Sequence, residues 1–264
     1  MTTRALCYLI TGATGSLGTA LTRRLLPQGH KVRAFARNEH SHERLIAALP
    51  AKDRPRLSSI VGDVRDIERL RLACDGVDVV IHAAAMKVIP LCEYNPQEAV
   101  ATNVMGSANV ARAVIDCDVS RAVLVSTDKA RSPSTHYGSC KLAAERLWLA
   151  SNALCGARPH PFVGVVYGNV FGSQGSILHA FREQSLAGRI TITDARCTRF
   201  HITLAQAVDL VLSVVDDARP GEIWIPKIPS YRVVDFAEAI APGLPHKVIG
   251  LRANEKVHEL LISE

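Results

Sequence analysis

Two residues that can exchange protons, Tyr137 and Lys141, lie four positions apart in the segment Tyr-Gly-Ser-Cys-Lys. This spacing places both side chains on one face of a helix. A lysine charge beside a phenol favours the phenolate, and an oxidised, positively charged cofactor bound nearby would add to this effect. With both charges present, we expect Tyr137 to act as a base well below its usual pKa. Ser126 and Thr127 close an apolar run upstream, and one of their hydroxyls would hydrogen-bond the substrate hydroxyl being oxidised. Two unrelated helix-surface residues would show the same spacing, so the interpretation depends on context.

Asp128 and Lys129 follow directly and put an acid and a base at the end of the same predicted strand. Removal of hydride from one carbon creates a ketone that acidifies the neighbouring C–H. A base then takes that proton while an acid protonates a departing hydroxyl, and the hydride returns to the product. The pair therefore predicts dehydration without net redox change. The alternative is a helix-capping aspartate followed by an exposed lysine.

The glycine-rich segment Thr11–Gly18 follows the apolar run Leu6–Thr11 and opens a helix-period segment. Gly12 would permit the tight turn, Gly15 the close approach of the backbone to a pyrophosphate, and Gly18 helix–strand packing. The helix N-terminus would then face the phosphates. This pattern predicts a dinucleotide site, whose contacts in the loop are Gly12, Thr14, Gly15, Ser16, Leu17 and Gly18.

The end of the second predicted strand bears on the choice of dinucleotide. Arg37 stands where an acidic residue would favour NAD, and its cation suits a 2′-phosphate. NADP is therefore the predicted cofactor and NAD the alternative, since Arg37 would also fit a solvated surface. Asp63 and Val64, after the third strand, are expected at the adenine. The small residues expected beside the cofactor after the fourth strand are Ala83, Ala84 and Ala85.

Short apolar runs alternate with helix-period segments, which predicts an α/β fold with a Rossmann-type doubly wound parallel sheet. The predicted strands are 6–11, 31–36, 58–61, 77–82, 122–126 and 162–167, and the predicted helices are 17–28, 41–49, 67–74, 96–117 and 137–153. After Gly168 the pattern becomes less regular. We expect residues 1–168 to form the NADP-binding domain, with parts of 200–228 returning to it, and residues 169–264 a smaller substrate-binding lobe.

Composition narrows the function classes. The 264 residues are 48% hydrophobic and 21% charged, which excludes a disordered, collagenous or coiled-coil protein. The net charge of +6 suits an anionic ligand, but it is spread along the chain as on an ordinary basic surface, so no nucleic-acid or membrane partner is predicted. Seven scattered cysteines fit neither a disulfide framework nor a zinc site, and no metal is expected. With no signal peptide or membrane-spanning run, we expect a cytoplasmic protein.

Taken together, these motifs resemble the NADP-dependent UDP-N-acetylglucosamine 4,6-dehydratases that invert C5, a family of extended short-chain dehydrogenases/reductases. Besides the glycine loop, the resemblance rests on segments spread over nearly the whole chain: 62–66, 82–87, 93–96, 126–130, 137–141, 167–170, 192–194, 198–200, 202–203, 225–229 and 255–256.

The resemblance implies specific roles. Tyr137 and Lys141 would serve C4 oxidation, Lys129 would be the base at C5, and Asp128 the acid for the C6 hydroxyl. Further contacts to the cofactor are expected from Lys87, Asn103, Ser126, Tyr137, Lys141, Tyr167, Asn169 and Val170. The expected contacts to a nucleotide-sugar substrate are Lys87, Asn169, Arg199, His201 and Glu255.

Departures from the family pattern leave alternatives open. They fall at Val88, Cys140, Val166, Cys197 and His201. They keep open an epimerase, or an altered dehydratase of another nucleotide sugar or nucleoside in specialised metabolism. A non-catalytic NADP-sensing regulator is a third hypothesis, against which the intact acid–base residues argue.

Two expectations concern the size of the protein. Apolar faces in 104–115 and 142–149 are mainly core, but the equivalent helices often form a dimer interface in this fold class, so a homo-oligomer is expected. Members of the family usually continue beyond the segment that ends this chain. We therefore expect a substrate lobe shortened at its C-terminus.

Overall fold

A parallel sheet of seven strands is the centre of the computed structural model, which describes residues 4–158 and 161–263. The strands of the chain are β1 (Cys7–Thr11), β2 (Lys31–Ala36), β3 (Leu57–Val61), β4 (Val79–His82), β5 (Arg121–Val125), β6 (Phe162–Val165), β7 (Asn169–Val170), β8 (Ile190–Ile192), β9 (Thr198–Ile202), β10 (Ile223–Trp224), β11 (Ser230–Arg232) and β12 (His246–Val248). The helices are α1 (Ser16–Leu25), α2 (Glu39–Ala47), α3 (Ile67–Cys74), α4 (Ile89–Tyr94), α5 (Pro96–Ala99), α6 (Gly106–Asp116), α7 (His136–Ala150), α8 (Ile177–Leu186), α9 (Leu204–Asp217) and α10 (Val233–Ile240).

The strand order of the large sheet is β10-β6-β5-β4-β1-β2-β3, with parallel pairing throughout. This is the doubly wound Rossmann order with one added edge strand, so the predicted fold class is confirmed. The order reverses between β1 and β4, where Thr11 pairs with His82. In such sheets the ligand binds beyond the carboxyl ends of the strands at this reversal.

Helices cover both faces of the sheet, and the strands are apolar on both sides for that reason. Leu9 and Ile10, neighbours in β1, are fully buried in two different core clusters. Ile10 packs in the cluster that holds Leu21 of α1 and Val211 of α9, whereas Leu9 packs in the one that holds Trp148 of α7. The alternation of side chains along a strand places these neighbours on opposite faces.

The predicted helix 96–117 is interrupted. A π-helical turn, Val100–Met105, connects α5 to α6 within it. The preceding helix α4 was not predicted, although it starts with Pro90 in its first turn, a common place for proline. Among the helices of the described residues, none has both the length and the apolar character needed to cross a membrane.

The C-terminal third contributes to both parts of the molecule. Strand β10 pairs with β6 at the edge of the large sheet, and α9 packs against α1. The remaining strands form a small sheet, β11-β9-β7, and a parallel pair, β12-β8. With α8 and α10 they enclose a separate apolar cluster that includes Phe181, Ile190 and Ala237.

Candidate active site

A cleft of about 770 Å³ lies at the carboxyl ends of the sheet strands. Residues from both parts of the molecule line it. Those predicted from the sequence are Gly12, Thr14, Gly15, Ser16, Leu17, Gly18, Arg37, Val64, Ala83, Ala84, Ala85, Lys87, Ser126, Thr127, Lys129, Tyr137, Lys141, Tyr167, Asn169 and Val170. The structure therefore brings most of the predicted residues together.

The glycine loop leaves its backbone open to the cleft. Gly12 has a φ of +69°, and a Cβ there would come within 2.8 Å of the Ala84 nitrogen. A Cβ on Gly18 would come within 2.5 Å of the Ala13 Cα. Gly15 precedes α1, and within the described residues no side chain caps this helix end. Amide groups at the start of α1 are thus available to an anion in the cleft.

At the adenosine end of the predicted site, the two predicted polar residues differ in placement. The Arg37 side chain is 58% exposed, and its nearest carboxylate, that of Asp63, is 3.9 Å away. The Asp63 carboxylate instead accepts hydrogen bonds from the Arg65 side chain at 2.7 and 3.0 Å and does not line the cleft. Arg37 therefore lines the cleft with a largely exposed side chain, whereas the Asp63 carboxylate is hydrogen-bonded to Arg65.

A buried chain of hydrogen bonds supports the loop after β4. Nδ1 of His82 lies 2.6 Å from the Thr11 hydroxyl, and its Nε2 lies 3.0 Å from the Ser107 hydroxyl. The Ser107 hydroxyl donates to the Asn103 carbonyl at 2.6 Å, so it accepts from His82. Burial and the nearby charge of Lys141 lower the pKa of His82 to about 3. His82 is therefore a neutral bridge under the cleft floor.

Asn103 was predicted at the cofactor, but the structure places it behind the cleft wall. Its side chain is buried, accepts a hydrogen bond from the Met86 nitrogen at 2.8 Å and donates to the Met86 carbonyl at 2.9 Å. Both ends of the amide are engaged by the backbone. Asn103 thus holds the loop that carries Lys87.

Helix α7 carries Tyr137 and Lys141, which are both buried and both line the cleft. The helix begins after Thr135, whose side chain accepts from the Gly138 nitrogen at 3.1 Å. A Cβ on Gly138 would collide with the Lys129 carbonyl, so this glycine lets α7 approach the turn that carries Lys129. The Tyr-Gly pair at the start of α7 therefore has a packing reason.

Without a cofactor, whose added charge is part of the expected lowering, the pKa of Tyr137 lies above the usual value of a phenol. Burial and the charge of Asp128 raise this pKa, against a hydrogen bond from Thr127. The Lys141 Nζ donates to the Val125 carbonyl at 2.8 Å. Burial lowers the pKa of Lys141 itself to about 8, although the charge of Glu145 opposes this. Lys141 is thus mostly charged at neutral pH.

Asp128 and Lys129 occupy a short 3-10 turn directly after β5. Thr127 caps this turn, since its side chain accepts from the Lys129 nitrogen. Asp128 is completely buried, and its Oδ1 accepts from the Thr127 hydroxyl at 2.9 Å and from Lys129 Nζ at 3.0 Å. Lys129 also donates to Asn169 Oδ1 at 3.2 Å, and its side chain is only 18% exposed. The alternative of a capping aspartate and an exposed lysine is therefore wrong.

Asp128 itself lies behind the cleft wall, whereas Thr127 and Lys129 line it. The second carboxylate oxygen of Asp128 has no hydrogen-bond partner among the described residues. Asp128 is thus connected to the cleft by its hydrogen bonds with Thr127 and Lys129.

The remaining predicted substrate residues are distributed differently. Lys87 lines the cleft, donates to the Gln174 carbonyl at 2.8 Å, and has its pKa lowered by burial. Arg199 and Glu255 form an ion pair of 3.1 Å outside the cleft lining, where Arg199 also donates to the Val257 carbonyl. This pair holds the C-terminal segment against β9.

His201 lies in a small adjoining cavity of about 10 Å³. The cavity shares Asn169 with the cleft and contains Phe171 and Tyr231 beside the imidazole. The His201 ring centroid is 5.5 Å from that of Tyr231. His201 is thus next to the cleft without lining it.

Among the cleft residues that were not predicted from the sequence, two carry polar groups of interest. Thr102, in the π-helical turn, and Arg252, in the C-terminal segment, line the cleft. Within the described ranges, no carboxylate forms an ion pair with the Arg252 guanidinium. Neither residue stands in a motif that would have drawn attention to it.

The family model of the polysaccharide biosynthesis proteins matches residues 8–264. The chain belongs to this family. It is 44% identical over 259 residues to UDP-N-acetylglucosamine 4,6-dehydratase (inverting) of Campylobacter jejuni subsp. jejuni serotype O:2, covering 97% of this chain and 77% of that protein. The family resemblance predicted from the motifs is thereby confirmed.

Other members and structures show the range of the family. The chain is 37% identical over 265 residues to UDP-glucose 4-epimerase of Rickettsia akari, with coverage of 97% and 77%. It superposes on the X-ray structure of Pen from Bacillus thuringiensis with a TM-score of 0.93 at 35% identity, covering 98% of this chain and 82% of that one. The Campylobacter and Rickettsia relatives are thus named as a dehydratase and an epimerase of nucleotide sugars.

Proposed function

We propose that this protein is an NADP-dependent nucleotide-sugar dehydratase that removes water from UDP-N-acetylglucosamine between C4 and C6. The observation that carries the proposal is the cluster of Lys129, Tyr137 and Lys141 on one cleft, with Asp128 directly behind it. The 44% identity to an inverting 4,6-dehydratase supports the same reaction.

The cleft fits a nicotinamide dinucleotide. The open glycine loop suits a pyrophosphate, and the exposed Arg37 suits the 2′-phosphate that distinguishes NADP from NAD. Thr102 and Ser126 line the cleft, and their hydroxyl oxygens are buried and lack a hydrogen-bond partner in the part of the chain described. Such groups fit a polar ligand. The bound nicotinamide would supply a reversible hydride acceptor.

Tyr137 would take the proton of the C4 hydroxyl, which Ser126 holds by a hydrogen bond. Burial disfavours a lone phenolate at Tyr137, so the nearby Lys141 cation and an oxidised, positively charged nicotinamide are needed to favour it. Ser126 and Tyr137 line the same cleft. These residues therefore have the positions needed for C4 oxidation.

Lys129 would take the C5 proton once the C4 ketone has acidified it. The electron pair of the C5–H bond forms the C5–C6 double bond, and the C6–O bond breaks. Asp128 would provide the proton that turns the departing hydroxyl into water, through the Thr127 hydroxyl with which it shares a hydrogen bond of 2.9 Å. The side chains of Asp128 and Lys129 lie side by side because the two residues are consecutive in the turn after β5.

For the substrate, the cleft offers cations to a diphosphate. Arg252 has an unpaired guanidinium among the described residues, and Lys87 and Asn169 line the part of the cleft toward the smaller lobe. In this proposal Arg199 and Glu255 act indirectly by holding the C-terminal segment, whereas His201 borders the sugar from the adjoining cavity.

A second candidate is 4-epimerisation, which the 37% identity to UDP-glucose 4-epimerases favours. The test is incubation with NADP and UDP-N-acetylglucosamine, followed by mass spectrometry. Loss of one water supports dehydration, and an isobaric new product indicates epimerisation. If the substrate is unchanged, both reactions are rejected for this sugar. That result would favour another nucleotide sugar as the substrate, or the hypothesis of a non-catalytic regulator.

We further propose a cytoplasmic homo-oligomer. The seven cysteines, all within the described ranges, are free thiols, as is typical of a reducing compartment. Leu91, Tyr94 and Met105 are exposed apolar side chains on or next to α4 and α6 and would suit contact with a second copy. Analytical ultracentrifugation tests this state.

A further inference from the structure

The C-terminal segment brings a second carboxylate to Lys129. Glu259 Oε1 lies 3.6 Å from Lys129 Nζ, although 130 positions separate the two residues. The Glu259 side chain is only 7% exposed, and its Oε2 has no hydrogen-bond partner in residues 4–158 and 161–263. A carboxylate in this state loses much of its hydration and is retained at a cost to stability.

Anchoring of the segment does not require this carboxylate. The Thr198 nitrogen donates to the Val257 carbonyl at 3.0 Å, and Lys256 Nζ donates to the Arg131 carbonyl at 2.6 Å. Lys256 Nζ is also the other cation near Glu259, at 3.9 Å. Backbone contacts and Lys256 thus already fix the segment on both sides of Val257.

Three side-chain oxygen atoms lie close to Lys129 Nζ, and they differ in distance and charge. Asp128 Oδ1 and Asn169 Oδ1 lie within hydrogen-bond distance of Nζ, and Glu259 Oε1 lies slightly beyond it. Asn169 carries no charge. In the proposed reaction Asp128 starts as the proton donor and is then neutral. Glu259 is therefore the carboxylate that already faces Nζ at the start of the step, before Asp128 has given up its proton.

We infer that Glu259 is a positioning residue of the dehydration step, which stabilises the ammonium formed when Lys129 takes the C5 proton. The inference rests on the proposed function. Because positive charge develops on Nζ in that step, a fixed carboxylate nearby stabilises the transition state more than the ground state. C4 oxidation develops no charge on Lys129, so Glu259 acts on elimination and not on oxidation.

The experiment compares Glu259→Gln with the unchanged enzyme on UDP-N-acetylglucosamine carrying hydrogen or deuterium at C5. Water loss is followed by mass spectrometry, and C4 oxidation by the absorbance of reduced nicotinamide in the first turnover. We expect water loss about tenfold slower and a larger C5 isotope effect, with the rate of C4 oxidation unchanged. The matched control is Glu238→Gln on α10, which removes an exposed carboxylate and should change neither rate.

Glu259→Asp provides the second variant, because it keeps the charge and retracts it by one carbon. It should recover part of the rate of water loss, and thermal unfolding shows whether both variants are folded. Unchanged water loss and isotope effect in Glu259→Gln would overturn the inference, and so would equal slowing of oxidation and water loss. If the unchanged enzyme releases no water, the proposed function fails and the inference with it. An active enzyme with an unaffected variant rejects the inference alone.

Discussion

Lys129 Nζ lies 3.0 Å from Asp128 Oδ1 in a turn where Asp128 is completely buried and Lys129 borders the cleft. The proposed acid and the proposed base are thus in direct contact. In the proposed elimination Lys129 takes a proton and Asp128 provides one, so this contact joins the two groups whose protons change in the same step.

The first prediction separates elimination from oxidation. Lys129→Met removes the amine but keeps an unbranched chain of similar length, so water loss should fall by at least about 100-fold. C4 oxidation uses Tyr137 and Lys141 and should persist, so reduced nicotinamide should accumulate. Absorbance and mass spectrometry measure the two steps. The exposed Lys247→Met is the control, and a variant that lost both steps together would contradict the assignment.

The second prediction concerns the choice of dinucleotide. Arg37→Ala should weaken NADP binding about tenfold and leave NAD binding nearly unchanged, because only NADP offers a 2′-phosphate to this cation. Calorimetric titration with each dinucleotide measures the two affinities. Arg44→Ala, which removes an exposed cation from α2, is the matched control. Equal weakening for both dinucleotides would show that Arg37 does not read the 2′-phosphate.

The third prediction uses the lowered pKa of Lys141, about 8 instead of 10.5. Between these values the unfolded chain binds more protons than the folded one, so stability should rise with pH across this window. The charged, buried amine therefore destabilises the fold below pH 8. Lys141→Met should be more stable by about 1–3 kcal/mol at pH 7, with the difference shrinking toward pH 10.5. Urea unfolding at several pH values measures this, and parallel pH curves would contradict it.

The fourth prediction uses His82, whose pKa is lowered from 6.5 to about 3 by burial. Below pH 6.5 the imidazole binds a proton in the unfolded chain but stays neutral in the folded chain. The free energy of unfolding should therefore fall by about 1.4 kcal/mol per pH unit down to about pH 3. His82→Gln lacks this titration and should show a shallower slope between pH 6.5 and 4. His40→Gln, at an exposed position, should keep the slope of the unchanged protein. Identical slopes for His82→Gln and the unchanged protein would reject the argument.

The glycine loop and the pair on α7 were predictable because their signals are local. Gly12 and Gly18 are required by contacts within one strand–turn–helix unit, and Tyr137 and Lys141 share a helix face by spacing alone. The six predicted strands up to residue 167 all exist, with small shifts at their ends. The short strands of the smaller lobe, such as β7 and β11, have too few residues to show a periodic pattern.

The hydrogen-bond partners of polar side chains could not be predicted from local patterns in the same way. Arg65 donates a hydrogen bond to the Asp63 carboxylate, and the Met86 nitrogen donates one to Asn103. Both polar residues were predicted to contact the cofactor, but neither lines the cleft. Burial raises the pKa of Tyr137 and so opposes the lowering expected from Lys141 and a bound nicotinamide. Which partner a polar group contacts depends on distances of a few tenths of an ångström between distant segments.

The sequence by itself determined the doubly wound sheet, the dinucleotide loop and the acid–base residues after β5, because each rests on patterns within a few dozen residues. Only the tertiary structure decided that Arg252 joins the cleft and that Glu259 stands beside Lys129. Both lie in the C-terminal segment 249–263, which the structure describes without helix or strand. Its path is set by individual contacts to β9 and to the turn after β5, and periodicity carries no information about such contacts.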